Sequence, residues 1–383
     1  MIYIHVPFCS SFCTYCDFYS EICRCGQSFD EYAEAVVAEI HNRREELSMN
    51  MTAPDAVNTL YIGGGTPSVL PLDVLARIVR AIAELVVRHS SPTIETTSPF
   101  DEFTVEVNPE DIVEKGPEYV RRLLALGVDR VSMGVQSFDD GILRWMNRRH
   151  DSEHAVKAFR ILRECGVRNL SIDLIFGLSQ LTDKIWKDTI EKALELGPEH
   201  ISAYQLSIEE GSALAGMVAD GRYVEASDEQ CRHQYDILCQ SLRQDGYHHY
   251  EISNFAKPGF EAVHNSAYWR RVPYVGLGPG AHSFSGDVRS WNSQALPHRN
   301  PSGELETYSR SFETLTPEDI RVERIMLSLR TDKGLEAEEL YSLAQKGVVE
   351  ALLAEGSLER AGKRVRIPES RFFTSDEIIR ALI

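Results

Sequence analysis

Residues 2–18 read IYIHVPFCSSFCTYCDF. Ile2–His5 is a short aliphatic and aromatic run that predicts a β-strand. The loop behind it carries Cys9, Cys13 and Cys16 in the spacing C-x3-C-x2-C, so the thiols sit at that strand's carboxyl end. Thiolates are soft ligands that suit zinc or an iron–sulfur cluster. Structural zinc takes four protein ligands, often from two paired knuckles, whereas this is one compact triad. A [4Fe–4S] cluster on three cysteines keeps one iron open to an exogenous molecule. Cys23 and Cys25 are candidates for a fourth ligand. Such crowding of cysteines points to a metal. Cys165, Cys231 and Cys239 stand alone on predicted helices and read as small buried apolar residues.

Outward from this stretch, strand signals recur. Thr59–Ile62, Thr104–Val107, Arg130–Gly134, Leu170–Ile175 and His200–Leu206 predict five more strands. Amphipathic helices lie between them. Phe29, Tyr32, Ala33, Val36, Val37 and Ile40 share one face, with Ser28 and Glu31 as a capping box. Ala155, Ala158, Phe159 and Leu162 repeat the pattern, as do Trp186, Ile190, Ala193 and Leu194, and Asp228–Gln244 reads as a further helix. Such alternation predicts an α/β fold with a parallel sheet and right-handed crossovers. It fits a doubly wound sheet or a partial (β/α) barrel.

The rhythm changes later. Residues 246–300 are rich in Gly, Pro, His and aromatics, and predict loops with short strands. Beyond 301 the chain turns helical, with Leu335, Leu340, Leu343, Val348, Val349, Leu352 and Leu353 as a candidate core, a strand at Arg364–Ile367 and a last helix at Thr374–Leu382. That tail resembles a winged-helix module. The organisation expected is 1–230 for the strand–helix core, 231–300 for an extension and 301–383 for the helical domain.

Charge narrows the partners. With 40 basic and 58 acidic residues the net charge is −18, which repels nucleic acids and anionic membranes. No basic leader and no long apolar stretch is visible, so a cytoplasmic protein without a transmembrane segment is expected.

Polar and glycine motifs gather at the predicted strand ends. Gly63-Gly64-Gly65-Thr66-Pro67 follows the second strand, Glu106-Val107-Asn108-Pro109 closes the third, Gln136 follows the fourth and Asp173 lies toward the end of the fifth. Parallel α/β folds build their sites at these ends. The glycine run lacks the Lys-Ser/Thr of a P-loop and the spacing of a dinucleotide fingerprint. Gly276–Gly280 reads as a structural turn.

Together these segments resemble the radical S-adenosylmethionine (SAM) superfamily. Within it they resemble the group of oxygen-independent coproporphyrinogen III oxidases and haem chaperones. The resemblance is carried by HVPFCSSFCTYCDFYS (5–20), YIGGGTPSVL (61–70), EVNPE (106–110), RVSMGVQSFDDGILRWMNRRH (130–150), IDLIFGLSQLT (172–182) and the stretch 250–284. It implies a partial (β/α)6, TIM-like barrel followed by a C-terminal helical, winged-helix-like domain. Cys9, Cys13 and Cys16 would bind three irons of a [4Fe–4S] cluster, and SAM would chelate the fourth. SAM contacts are implied for Tyr3, Tyr15, Gly64, Gly65, Thr66, Glu106, Gln136, Arg148 and Asp173. Glu106 suits the amino group, Arg148 the carboxylate and Asp173 the ribose hydroxyls. An electron donor would reduce the cluster, whose electron would cleave a carbon–sulfur bond of SAM.

Two features choose within the group. The oxidases carry a fourth cysteine two positions after the third; here that residue is Phe18. The C-D-F ending resembles the haem chaperones and disfavours coproporphyrinogen oxidation. His264-Asn265-Ser266-Ala267-Tyr268-Trp269 likewise matches the chaperones' H-N-x-x-Y-W pattern. His264 would be a candidate haem ligand, Tyr268 and Trp269 would pack on the porphyrin, and Arg270 and Arg271 would pair with propionates. His5 and His282 read as structural. The expectation is a haem chaperone that passes haem cargo to acceptor haemoproteins, with room for a cluster-linked homodimer. Its alternatives are the oxidase and a zinc-stabilised binding module.

Overall fold

A computed structural model describes residues 1–22, 27–53, 56–87 and 99–383. Strand β1 (Ile2–Val6) puts Ile2, Ile4 and Val6 into the core and turns Tyr3 and His5 to its other face. This is the period-two alternation of a strand. Helices α1 (Gln27–Asn42) and α2 (Arg44–Thr52) lead to β2 (Thr59–Gly64). Then come α3 (Leu72–Val87), β3 (Glu102–Val107), α4 (Pro109–Ala125), β4 (Arg130–Gln136), α5 (Asp140–Trp145), α6 (Ser152–Glu164), β5 (Asn169–Phe176), α7 (Asp183–Leu196) and β6 (His200–Gln205). All the predicted strands are present, most of them longer by one or two residues.

β1 to β6 pair in parallel and in chain order, through pairs such as Ile2↔Leu60, Tyr61↔Thr104, Glu106↔Ser132, Gly134↔Asp173 and Asp173↔Ser202. A doubly wound sheet would reverse its strand order at a switch point. Here the order never reverses, so the layer is that of the expected partial barrel, and every strand's carboxyl end faces the same mouth.

The region read as loops completes this sheet at both edges. After α8 (Ala213–Ala219) and α9 (Asp228–Gln244), β8 (Asn254–Ala256) adds antiparallel to β6 and β7 (His248–Glu251) adds antiparallel to β8. After α10 (Val263–Trp269), β9 (Val275–Leu277) adds parallel to β1. The result is a nine-stranded sheet. Trp186 of α7 is fully buried and donates from Nε1 to Gln234 O at 2.8 Å, which locks α7 to α9.

Beyond the barrel, β10 (His282–Phe284), β11 (Val288–Asn292) and β12 (Arg310–Thr314) form an antiparallel sheet. The helical region therefore begins later than 301, at α11 (Pro317–Leu329), where Thr316 and Asp319 make a capping box. It continues with β13 (Leu335–Glu336), α12 (Ala337–Leu343), α13 (Lys346–Ala354), β14 (Glu359–Ala361), β15 (Arg364–Arg366), a 3-10 turn (Glu369–Thr374) and α14 (Ser375–Leu382). Leu335, Leu340, Val349 and Leu352 are buried there as expected, and β13, β15 and β14 form the small sheet of a wing. Among the described residues no helix is long and apolar enough to cross a membrane.

Cys231 and Cys239 are buried, whereas Cys165 is half-buried at the end of α6, 3.5 Å from Pro117 O. Cys23 and Cys25 lie outside the described residues.

Candidate functional site

The cysteine loop is fixed to its neighbours by backbone. Thr14 N donates to Met146 O at 3.0 Å, Leu214 N to Thr14 O at 2.8 Å and Gly65 N to Val6 O at 2.8 Å. Asn147, in a left-handed conformation with φ 57°, donates from its side chain to Phe12 O at 2.7 Å. His5 closes the loop's far end, its Nε2 2.8 Å from Tyr19 O. Cys9, Cys13 and Cys16 are all half-buried there.

A polar chain joins two of the thiols across the barrel mouth. Cys9 Sγ lies 3.5 Å from Thr66 Oγ1, which accepts from Asn108 Nδ2 at 3.2 Å. Asn108 Oδ1 accepts from Arg148 Nη2 at 2.7 Å, and Arg148 Nη1 donates to Cys13 Sγ at 3.4 Å. Arg148 Nη2 also donates to Gly134 O at 2.8 Å. Arg148 is thus no surface charge, because its guanidinium is drawn in over the strand ends. Asn108 sits in the quoted EVNPE motif, yet its role was not read from the sequence. An asparagine ahead of a helix is ordinarily a cap.

Two glycines of the GGG run have no substitute. Gly64 has φ 111°, which other residues rarely adopt, and a Cβ there would meet the His5 ring at 2.7 Å. A Cβ on Gly65 would lie 2.8 Å from Phe8 O, 3.0 Å from Val6 O and 3.1 Å from Cys9 Sγ. Backbone oxygens cannot yield, so Gly65→Ala must push the cysteine loop outward. We expect a stability loss of about 1–3 kcal/mol together with lower iron loading, checked by thermal unfolding and iron analysis of the same preparation. Iron loading at the wild-type level would show that the loop tolerates the methyl group.

Inside the mouth lies a cavity of about 600 Å³. Tyr15, Gly64, Thr66, Glu106, Gln136, Arg148 and Asp173 line it, together with Cys13 and Cys16. Tyr3 and Gly65 are not among its lining residues. Tyr3 gives its hydroxyl to His5 Nδ1 at 3.0 Å, which makes it a support for the loop. Asn108, Ser132 and Tyr204 are lining residues that sequence reasoning missed. A second cavity, of about 490 Å³, lies against the cysteine loop and includes Cys9, Cys13 and Cys16.

The electrostatics suit a zwitterionic cation. Burial raises the Glu106 carboxyl most and the Asp173 charge adds to it, while hydrogen bonds from Tyr61 Oη and Gly64 N pull back; the balance is about 7. Burial raises Asp173 too, with Ser132 Oγ 3.2 Å from its Oδ1. Arg148 also lines the cavity, and its Nε is buried with no hydrogen-bond partner among the described residues. Two buried carboxylates, each tempered by the charge of Arg130, and the Arg148 guanidinium therefore line one cavity. The thiols fit a metal: burial raises Cys9 and lifts Cys16 to about 11, and bound cations reverse such shifts by taking thiolate ligands.

The structure places His264 elsewhere. It lies on α10 beside Thr59, the first residue of β2, away from the mouth, and is 1 % exposed. Nδ1 is 2.7 Å from Thr59 Oγ1 and Nε2 is 2.9 Å from Tyr268 Oη, so neither nitrogen is open to an iron. Arg271, read as a propionate partner, forms an ion pair with Glu323. The physical reason is a long-range contact: Glu102 accepts from the backbone N–H groups of Val263 and His264 at 2.9 and 3.0 Å and seats α10 there. We expect His264→Gln to cost about 1–3 kcal/mol of stability and to leave a haem spectrum unchanged. A changed Soret band would restore His264 as a ligand.

Comparisons with known proteins agree with this architecture. A family profile described as the radical SAM superfamily matches residues 3–193. The chain is 34 % identical to "Heme chaperone HemW" of Bacillus subtilis, over 92 % of this chain and 90 % of that one. It is 32 % identical to "Heme chaperone HemW" of Mycobacterium tuberculosis, over 100 % of this chain and 94 % of that one. The crystallised coproporphyrinogen III oxidase (HemN) of Escherichia coli shares the fold, with a TM-score of 0.77 at 22 % identity over 99 % of this chain and 89 % of that one.

Proposed function

Because this chain belongs to the radical SAM superfamily, in the group of the haem chaperones HemW, we propose that it binds haem and passes it to acceptor haemoproteins. The observation that carries the reading is likeness along nearly the whole chain to proteins of that name. In this reading Cys9, Cys13 and Cys16 hold a [4Fe–4S] cluster and the cavity beside them takes SAM. Glu106 accepts from the amino group, the Arg148 guanidinium pairs with the carboxylate and Asp173 takes the ribose hydroxyls. With SAM on the open iron, the cluster supplies one-electron reduction of a sulfonium. An electron donor is then a further partner.

The protein's own residues orient and shield. The Thr66–Asn108–Arg148 chain fixes the cysteine loop and aims the guanidinium at one point. Phe18 is 71 % exposed and Tyr204 42 % exposed, both on the mouth of the cavity. Exposed aromatic faces at a rim suit a flat apolar ring, and we assign the cargo to that rim. Phe18 stands where an oxidase would carry a thiol, so the loop offers an apolar face there and no fourth sulfur.

The test is a haem titration of anaerobically reconstituted protein, followed by transfer to an apo-haemoprotein and by product analysis with coproporphyrinogen III. We expect a saturable haem complex, transfer to the acceptor and no protoporphyrinogen IX. SAM-dependent conversion of coproporphyrinogen III would replace the chaperone reading with the oxidase.

A further inference from the structure

Three ligand-type side chains meet far from the barrel mouth, on elements the proposed function does not use. Cys239 comes from α9, His249 from β7 and Glu369 from the 3-10 turn of the C-terminal domain. Their Sγ, imidazole nitrogen and carboxylate oxygen all lie within 4.8 Å of one another. Cys239 and His249 are buried, and Glu369 is 36 % exposed on its side chain.

The spacings fit a hydrogen-bond network poorly. His249 Nδ1 is 3.3 Å from Glu369 Oε1 and 3.9 Å from Cys239 Sγ. A good N–H···O bond is about 2.7–3.2 Å long; Tyr235 hydrogen-bonds the Cys239 thiol and its Oη lies 3.4 Å from His249 Nε2, so the three groups are held to one another only by loose contacts. A tetrahedral zinc-type ion matches the N···O spacing and comes within about 0.3 Å of the N···S spacing. Metal–ligand distances of about 2.0–2.2 Å to nitrogen and oxygen and about 2.3 Å to sulfur put the N···O edge near 3.3 Å and the N···S edge near 3.6 Å. The imidazole is fixed in place, stacked on Phe255 at 4.0 Å between ring centroids and meeting the edge of Phe372 at 5.0 Å. The exposed side of Glu369 provides an entry path and a fourth position for water.

We propose that Cys239, His249 and Glu369 bind one divalent transition-metal ion of the zinc type, tying the barrel's edge to the C-terminal domain. Mixed sulfur, nitrogen and carboxylate donors select this class over magnesium or calcium. Arg243 bears on the site, because its Nη2 lies 2.7 Å from the same Glu369 oxygen. Its guanidinium is 61 % exposed. It competes with the ion for that oxygen, so its removal should strengthen metal binding. A purely structural Arg243–Glu369 ion pair gives no such gain.

The experiment uses full-length protein with Cys9, Cys13 and Cys16 changed to serine, which removes the cluster thiolates, and Cys239→Ser in that background separates the new site from the remaining thiols Cys23, Cys25, Cys165 and Cys231. Cobalt(II) is titrated anaerobically and then displaced by zinc. We expect saturation at about one ion per chain, with a thiolate-to-cobalt charge-transfer band that Cys239→Ser abolishes. Glu369→Gln should weaken binding at least tenfold, and Arg243→Ala should tighten it severalfold. Circular dichroism of each variant reports folding. Should the triple variant not fold, elemental analysis of the cluster-loaded wild type after zinc incubation and dialysis replaces it, with about one zinc per chain expected beyond the iron. Absence of the charge-transfer band, its survival in Cys239→Ser, or a wild type that retains no zinc would overturn the proposal.

Discussion

Replacing Cys13 with serine should leave the purified protein with less than about a tenth of its iron and acid-labile sulfide, because a neutral hydroxyl cannot replace a soft thiolate at iron. Position 13 is the most demanding of the three. Its sulfur is the one that Arg148 Nη1 touches, at 3.4 Å. The next residue, Thr14, is pinned to the end of α5 by Thr14 N to Met146 O at 3.0 Å and Thr14 Oγ1 to Trp145 O at 2.9 Å. The loop therefore cannot slide to bring another donor into place. Phe18→Ala is the matched control. It removes an exposed side chain from the same loop and should keep full iron and sulfide. Metal and sulfide analysis with the visible spectrum reads both variants. Wild-type iron and sulfide in Cys13→Ser would remove Cys13 from the ligand set. Zinc without sulfide in the unaltered protein would favour a zinc module.

What the sequence reveals and what it hides divide by range. The strands β1 to β6 are legible because each spans five to eight residues mixing β-branched, aliphatic and aromatic side chains, and their fixed order makes the motifs after them converge on one mouth. The added strands Asn254–Ala256 and Val275–Leu277 are three residues each, too short for periodicity to register. They exist because β6 and β1 offer open edges. The placement of Glu106 and Arg148 at the cavity is legible through the family resemblance. Asn108 is not, since its bonds reach residues 40 and 42 positions away. His264 misleads for the same reason. Its motif reads like a ligand segment, but Thr59 and Glu102, which bury it, lie far off in the chain. Arg271 beside Arg270 looks like an anion site until Glu323 is seen to occupy it.

Affinity for SAM should fall as pH drops through about 7, and Glu106→Gln should abolish that dependence while weakening binding about 10–100-fold. Burial, with the neighbouring Asp173, raises Glu106 to about 7, so below that pH the carboxyl is mostly protonated and neutral. An amino group donates best to the ionised form, so binding must first release the proton. Each pH unit below 7 then costs close to tenfold in affinity, and binding releases a proton there. Above 7 the carboxylate is already ionised and this dependence levels off. Glutamine keeps the shape, the Tyr61 contact and an acceptor oxygen, but it has no charge to lose, so its profile should be flat at the weaker level. Arg148→Gln provides the contrast. It removes the guanidinium and its contact to Cys13 together, so it should weaken SAM and lower cluster retention at every pH. Calorimetric titration of reconstituted protein between about pH 5.5 and 8, in buffers of different ionisation heats, measures affinity and proton release together. A flat wild-type profile, or the same slope in Glu106→Gln, would take the pH dependence away from Glu106.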